Sequence, residues 1–399
     1  MHALRQLKNS LFGSGLSLED LETQLDNVSV PYSEVDCRTC PNPCDEGHES
    51  YPNKFNVDMD SVMFGSIVIS TGKMDWEREI TSAKNSLAAH VQHVAHSAPL
   101  SSSPPAADSE LKSKRGIHVP GIFDSDDVNR LSILNGSHHT LSDDPDHETV
   151  LVFPDYKLIT EVPRSLDGAR ALWDTALSPT VPALPASDEK RSLNSWIIPY
   201  SCVILLCSHK RRDNRCHVAA AQLGQAFTRS LEEHGWTVDT EIEHPSHCMG
   251  SPLEELTGTD EENEEAVTRQ LQEIASEKKA LILRNSHIGG HRYAGNCIVS
   301  VSSLFSIVPV HSGFGSGTSK VRVTWGTLSQ YLGQLQTKEH DPSSAIYTPQ
   351  GAGVWYGRVS THEVESIVSQ TLEEGLILPP LLRGGMNISR PGCKSLHDW

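Results

Sequence analysis

The stretch that decides the fold, "CVILLCSHKRRDNRCHVAAAQLGQAFTRSLEEHG", covers residues 202 to 235. Together with "SWIIPYS" at 195–201, its apolar beginning predicts one buried strand that ends near Cys207. A polar loop follows, and the residues from Cys216 onward have the apolar spacing of a helix that Gly235 closes. A buried strand that leads through a loop into an amphipathic helix is typical of an α/β unit.

The same alternation continues through the second half of the chain. It predicts strands in "TVDTEIEH", "KALILRNSH" and "GVWYGRVS", and helices in "ENEEAVTRQLQEIASE" and "THEVESIVSQTLEEG". This order indicates a small central sheet flanked by helices over residues 193–385. The stretch near residues 298–345 interrupts the alternation, and we interpret it either as a surface insertion or as a gene-model error.

The first half also predicts an α/β domain. Its strands are expected in "FGSIVIS" and "ETVLVFPDYKLITEVP", and its helices in "WEREITSAKNSLAAHVQHV" and "SLDGARALWDTAL". A length of 399 residues suits two domains, each with its own core. The predicted boundaries are an N-terminal domain at 1–177 with a disordered loop near 97–114, a Pro-rich linker at 178–192, a second domain at 193–385 and a tail at 386–399.

Composition narrows the class of function. The formal net charge is −18, so the surface field repels phosphate backbones and anionic lipids, and we expect neither nucleic acid nor membrane partners. No apolar run approaches the roughly 20 residues that span a bilayer, and the N-terminus lacks a secretory signal. We therefore expect a cytoplasmic protein. A mitochondrial location is the alternative, because the first eighteen residues contain Arg5 and Lys8 but no acid.

The cysteines suggest thiols or metal ligands in a reducing compartment. There are nine of them, which is odd in number and too sparse for a disulfide scaffold. Cys37, Cys40, Cys44 and His48 have zinc-like spacing and form a weaker candidate site. The alternatives there are plain thiols, or a thiol oxidoreductase that acts through Cys37 and Cys40.

A stronger candidate site lies at the ends of predicted elements in the second half. Cys207 follows a strand and Cys216 begins a helix, while His287 and His291 lie on the glycine-rich loop after another strand. Two thiolates and two imidazoles are able to hold either tetrahedral zinc or a 2Fe-2S cluster. The ligand types alone do not choose between these two. Cys202 has apolar neighbours on its strand, and we interpret it as a core residue.

Several motifs resemble the sucrase/ferredoxin-like family, the thioredoxin-like ferredoxins of fungi. They are "CSHKRRDNRC", "HIGGHRYAGN" and "GVWYGRVSTHEVESIV", with further similarity in "STGKMDWE", "VLVFPDYK" and the segment 37–48. The resemblance implies a thioredoxin-like second domain that holds a 2Fe-2S cluster through Cys207, Cys216, His287 and His291. It leaves the first domain as a degenerate thioredoxin-like unit. The stretch 298–345 departs from the family pattern.

The resemblance favours a redox protein, an electron carrier or redox sensor, over a substrate-converting enzyme. Neutral imidazoles in place of thiolates make a cluster easier to reduce and couple electron uptake to proton uptake. The alternative with the same ligands is a structural or adaptor protein that binds zinc. We expect no glycosidase activity, because no pair of carboxylates lies on matching elements.

Two sequence features suggest partners. The basic loop at 209–215 offers positive charge to a redox partner protein, such as a flavin reductase, although it is equally consistent with a solvated loop. The ending "SLHDW" partly resembles the C-terminal tripeptide by which the cytosolic iron-sulfur assembly machinery recognises its clients, through Asp398 and Trp399. The alternative for this ending is a frayed tail.

Overall fold

A mixed α/β architecture is seen in the computed structural model, which describes residues 18–27, 30–34, 65–97, 131–177, 193–288, 294–302, 351–386 and 388. The strands are β1 Gly65–Ser70, β2 Leu131–Gly136, β3 His147–Phe153, β4 Lys157–Pro163, β5 Ser195–Ile197, β6 Cys202–Cys207, β7 Thr237–Asp239, β8 Lys279–Asn285, β9 Cys297–Val301, β10 Ala352–Tyr356 and β11 Leu382–Met386. The helices are α1 Leu18–Asn27, α2 Leu87–Ser97, α3 Leu166–Leu172, α4 Asn214–Glu233, α5 Asp260–Ser276 and α6 Val364–Ser366. Helices α3 and α6 continue as π-helical turns, Trp173–Leu177 and Ile367–Glu373. None of the helices in these ranges is long and apolar enough to cross a membrane.

All eleven strands belong to one sheet that runs through both halves of the chain. Its order is β11-β10-β9-β6-β8-β2-β1-β3-β4-β5, and β7 pairs with β8 beside this path. Strand β6 is central to the second half. It is fully buried because α4 covers one of its faces and α5 the other, which explains its uninterrupted apolar run.

The two halves repeat one strand order. In the second half, β6 is parallel to β8 and antiparallel to β9, which pairs antiparallel with β10. In the first half, β1 is parallel to β2 and antiparallel to β3, which pairs antiparallel with β4. The registers also match, since Cys207 pairs with Asn285 as Ser70 pairs with Gly136. Strand β1 therefore corresponds to β6, and β2 corresponds to β8.

The halves meet through the corresponding strands β2 and β8. Strand pairing there is limited to Gly136 and Asn285. Two serines extend it reciprocally. The Ser137 amide donates to the Arg284 carbonyl at 2.8 Å, and the Ser137 hydroxyl accepts from the Arg284 amide. In the same way, the Ser286 amide donates to the Asn135 carbonyl at 2.8 Å, and the Ser286 hydroxyl accepts from the Asn135 amide. The junction thus has an approximate local two-fold symmetry.

Several details differ from the sequence-based expectations. The helix expected from about Trp76 begins only at Leu87, because Asn85 takes a left-handed conformation and the Ser86 hydroxyl caps the first turn by accepting the Ala89 amide. The single strand expected over 195–207 is divided into β5 and β6 around Pro199, which has no amide hydrogen to donate. Strands β2 and β11 and helix α1 were not expected.

Some predicted segments are only partly covered by the structure. The linker 178–192 and residues 98–114 lie outside the described residues, as do residues 303–345 of the predicted insertion. Residues 298–301 of that stretch belong to β9, which pairs with β10. The proposed domain boundaries therefore stay predictions.

A cluster of charged side chains joins the end of α4 to α6 and the π-helical turn that follows it. His234 bonds to Glu365 at 2.8 Å and to Glu373 at 3.0 Å, and Lys278 bonds to Glu373 at 2.8 Å. The hydrogen bond that the His234 ring donates to Glu365 is the main cause that raises the pKa of His234 above 6.5. Hydrogen bonds from Ser230 and His234 lower the pKa of Glu365 below 4.5. This cluster is most stabilising when the imidazole is protonated and the carboxylates are ionised.

We expect His234→Gln to lower the free energy of unfolding by about 1 kcal/mol at pH 6. A raised histidine pKa contributes stability that is full below 6.5 and disappears as the pH rises through the folded-state pKa, so the loss should shrink at pH 9. Urea unfolding at both pH values measures it. His139→Gln, at an exposed histidine beside Glu241, is the matched control. An equal loss at pH 6 and pH 9 would contradict the assignment.

Candidate metal centre

Two of the predicted ligands lie at one edge of the sheet. Strands β6 and β8 are parallel neighbours, so their carboxyl ends meet there. Cys207 is the last residue of β6, and His287 follows β8 by two residues. The Cys207 Sγ and His287 Nδ1 atoms are 3.9 Å apart. The structure thus brings these two candidate ligands together.

Cys216 lies beside Cys207. It lies in the first turn of α4, a helix that Asp213 caps by accepting the Arg215 amide at 2.9 Å. Its thiol and that of Cys207 are hydrogen bonded to each other and both are buried. Ala219, Ala294 and Ile288 pack against the two sulfur atoms and provide apolar surroundings.

Four cysteines are buried in the part of the chain that the structure describes, and they differ in acidity. Burial raises the pKa of Cys202, and it raises the pKa of Cys297 to about 12. Cys207 is the opposite case, because the hydrogen bond from the Cys216 thiol lowers its pKa well below 9.0, with further help from His287 and the Ile288 amide. The Cys207–Cys216 contact raises the pKa of Cys216 in turn. The site therefore favours a thiolate at Cys207, the form that binds metals.

Two family-like motifs meet behind this edge. The Cys207 amide donates to Asn296 O at 3.0 Å, and the Val359 amide donates to Gly295 O at 2.9 Å. Gly295 has φ +73°, which an alanine adopts only with strain. The segments "AGN" and "WYGRV" are therefore in backbone contact, and the first of them holds the end of β6.

Other candidate ligands are not placed. His291 lies outside the described residues, as do Cys37, Cys40, Cys44 and His48 of the weaker site, and Asp398 and Trp399 of the tail. Among the residues that are described, no group of three or more His, Cys, Asp or Glu side chains has the geometry of a metal site. Cys202 is fully buried in β6, as expected of a core residue.

One residue near the site, His209, was set aside by sequence reasoning because it falls outside the positions that match the family motifs. His209 is only 1% exposed, and its ring contacts both the Trp76 carbonyl and the His287 amide. It falls on a loop that looks solvated in sequence, because "HKRRDN" is polar throughout. The only hint is its position two residues after Cys207.

The basic loop is paired within the chain. Arg211 contacts Glu77 at 2.7 Å, and Arg212 contacts Glu79 at 2.6 Å. The segment that follows β1 thus neutralises two positive charges of the loop. The predicted use of this loop to attract an acidic partner stays a prediction, with less positive charge available than the sequence suggests.

Comparison with known proteins identifies one family. The model of the sucrase/ferredoxin-like family matches residues 63–384, which covers both halves of the sheet. Comparison with curated proteins and with solved structures gives no match.

Proposed function

This chain belongs to the sucrase/ferredoxin-like family, and from that premise we propose that it is an electron carrier or redox sensor with a 2Fe-2S cluster. The ligands in this proposal are Cys207, Cys216, His287 and His291. The observation that supports it is the position of the Cys207 thiol, which contacts both the Cys216 thiol and the His287 imidazole at one sheet edge.

The described ligands suit such a group chemically. Soft thiolates next to an imidazole select zinc or iron-sulfur clusters over hard cations such as Mg²⁺. The lowered pKa of Cys207 favours the deprotonated thiolate, which is the form that a metal requires. When bound, the cluster would supply a one-electron couple, and the protein would supply two sulfur ligands, two ring nitrogens and an apolar wall.

We also propose that the second half is a thioredoxin-like domain and the first half its degenerate copy. The repeated order, with β9 antiparallel to β6 and β10 parallel to it, supports this. By register, Ser70 of the first half takes the place of Cys207, and its hydroxyl donates to Glu148 at 2.7 Å. His138 takes the place of His287 and is completely buried. Without a thiol at the position of Cys207, the first half is not expected to hold a second cluster.

Metal and sulfide analysis tests the proposal. Full-length protein purified anaerobically should be red-brown, with iron and acid-labile sulfide in equal amounts and a visible spectrum that dithionite bleaches. Zinc without sulfide in a colourless preparation would support the structural zinc protein instead. Disulfide reductase activity that Cys40→Ser abolishes and His287→Ala spares would support the thiol oxidoreductase.

Reduction is expected to depend on pH. A ring nitrogen of His287 or His291 that is not bound to iron is able to take up a proton when the centre is reduced, so the midpoint potential should fall by about 59 mV per pH unit in the coupled range. Voltammetry between pH 6 and pH 9 measures this slope. His287→Cys should lower the potential, because a thiolate adds negative charge. A potential independent of pH would count against proton coupling.

The partners proposed are redox proteins, with a flavin reductase as one class of donor, and the cytosolic iron-sulfur assembly machinery through Asp398 and Trp399. We propose electron transfer in the cytoplasm rather than conversion of a substrate. Deletion of residues 398–399 should then lower the iron content of protein made in cells, and chemical reconstitution in vitro should restore it.

A further inference from the structure

We propose that His209 is a positioning residue for the His287 backbone, an inference that rests on the proposed function. Its ring sets the place of the His287 backbone relative to the loop between Cys207 and Cys216. The juxtaposition is direct, since His209 lies on that loop and its Nδ1 atom is 3.3 Å from the His287 amide nitrogen.

The two contacts of the ring fix its tautomer. Nδ1 accepts the His287 amide hydrogen, so the neutral ring carries its proton on Nε2. Nε2 then donates to the Trp76 carbonyl at 3.0 Å. Both ring nitrogens are satisfied in a buried position, where an unpaired polar atom is costly. The ring is therefore held in one orientation rather than rotating.

The far end of this connection is anchored in the first half of the chain. The Trp76 indole packs edge-on against the His209 ring with centroids 5.9 Å apart, and its nitrogen donates to Thr71 at 2.9 Å. The Thr71 hydroxyl in turn donates to the Gly136 carbonyl at the end of β2. His209 thus connects the ligand loops of the second half to two strands of the first half.

The surrounding ion pairs are a weaker part of the same contact. Arg211 is 55% exposed and its partner Glu77 is 67% exposed, so solvent screens their attraction. The buried hydrogen bonds of His209 are better suited to fix a position within a fraction of an ångström. The segment "DWERE" at 75–79 then acts as a strap across the loop, with His209 as its point of attachment.

Three substitutions separate the two bonds. Asn places an oxygen near the position of Nδ1, Gln places a nitrogen near the position of Nε2, and Leu removes both. Hydrogen exchange of the His287 amide in the metal-free full-length protein directly measures the bond from that amide to His209 Nδ1, whether or not a cluster binds. We expect His209→Asn to keep wild-type protection, and His209→Gln and His209→Leu to lose it by about tenfold.

In protein loaded with the cluster, the EPR spectrum of the reduced state should separate the His209 variants in the same way as amide protection does. His209→Asn should resemble wild type, whereas His209→Gln should shift. An amide in β3, far from the site, and the variant His139→Asn are the controls for a general loss of stability. If His209→Leu does not fold, the comparison of Asn with Gln decides. Equal protection of the His287 amide in those two variants would overturn the proposal, whereas a wild-type protein without a cluster would refute only the proposed function.

Discussion

Cys207→Ala protein is expected to be colourless and to retain less than about a tenth of the wild-type iron and sulfide. Cys207 lies at the end of the central strand, and its thiol combines a hydrogen bond from Cys216 with one from the Ile288 amide. Of the cysteines that the structure describes on neighbouring strand positions, Cys202 is buried in the core at the other end of β6 and Cys297 is buried in β9, so neither is able to replace it. Cys216→Ala should give the same loss.

The matched control for this experiment is Cys297→Ala, which removes a buried thiol from the neighbouring strand. Its backbone pairs with Leu206, one residue before Cys207, so both variants open a small cavity in the same part of the sheet. Each should destabilise the protein by about 1–2 kcal/mol, and only the ligand variant should lose iron. Cys248→Ser controls for an exposed thiol. Full iron content in Cys207→Ala, or an equal loss in Cys297→Ala, would remove Cys207 from the ligand set.

The second half of the fold was largely predictable from sequence because its signals are local. The apolar run of β6, the amphipathic spacing of α4 and Gly235 at its end all act within one element, and the structure confirms them. Cys207 and His287 could be placed together because parallel strands align their carboxyl ends. Strand β11 was missed since "LRGGM" has two glycines, which are rare in strands.

The continuous sheet was not predictable, because its central junction depends on contacts between distant residues. Ser137 and Ser286 complete the pairing of β2 with β8, and serine hydroxyls carry no signal for strand pairing. One trace remains in sequence, since "ILNGSH" at 133–138 and "ILRNSH" at 282–287 share most of their residues. Comparison of those two segments would have indicated the repeated unit, and with it the correspondence of His138 and His287.

The environment of His209 was hidden for a related reason. The residues that bury it, Trp76 among them, were assigned to a helix, whereas they form an extended strap before α2. The apolar spacing of that segment is compatible with a helix, and the contact that overrides it comes from the other half of the chain. Tertiary packing of this kind is the usual reason why local patterns mislead.

Gly295→Ala is expected to cost about 3 kcal/mol or more of unfolding free energy, the largest stability effect predicted for a single methyl group here. Gly295 has φ +73°, and a Cβ atom there would overlap the carbonyl oxygen of Val359. The backbone cannot give way easily, since the Val359 amide is bonded to Gly295 O. Displacement would also reach Asn296, whose carbonyl holds the Cys207 amide, so iron content should fall together with stability.

Gly235→Ala isolates the steric part of this effect. Gly235 has φ +79°, a conformation that is equally unfavourable for alanine, but a Cβ atom there meets nothing within 4 Å. Its cost should be about 1 kcal/mol, from the backbone conformation alone. Urea unfolding of both variants gives the difference, which we attribute to the close approach of "AGN" and "WYGRV". Equal costs would mean that these two motifs are not in close contact behind the ligands, and the glycine of the first motif would then need another explanation.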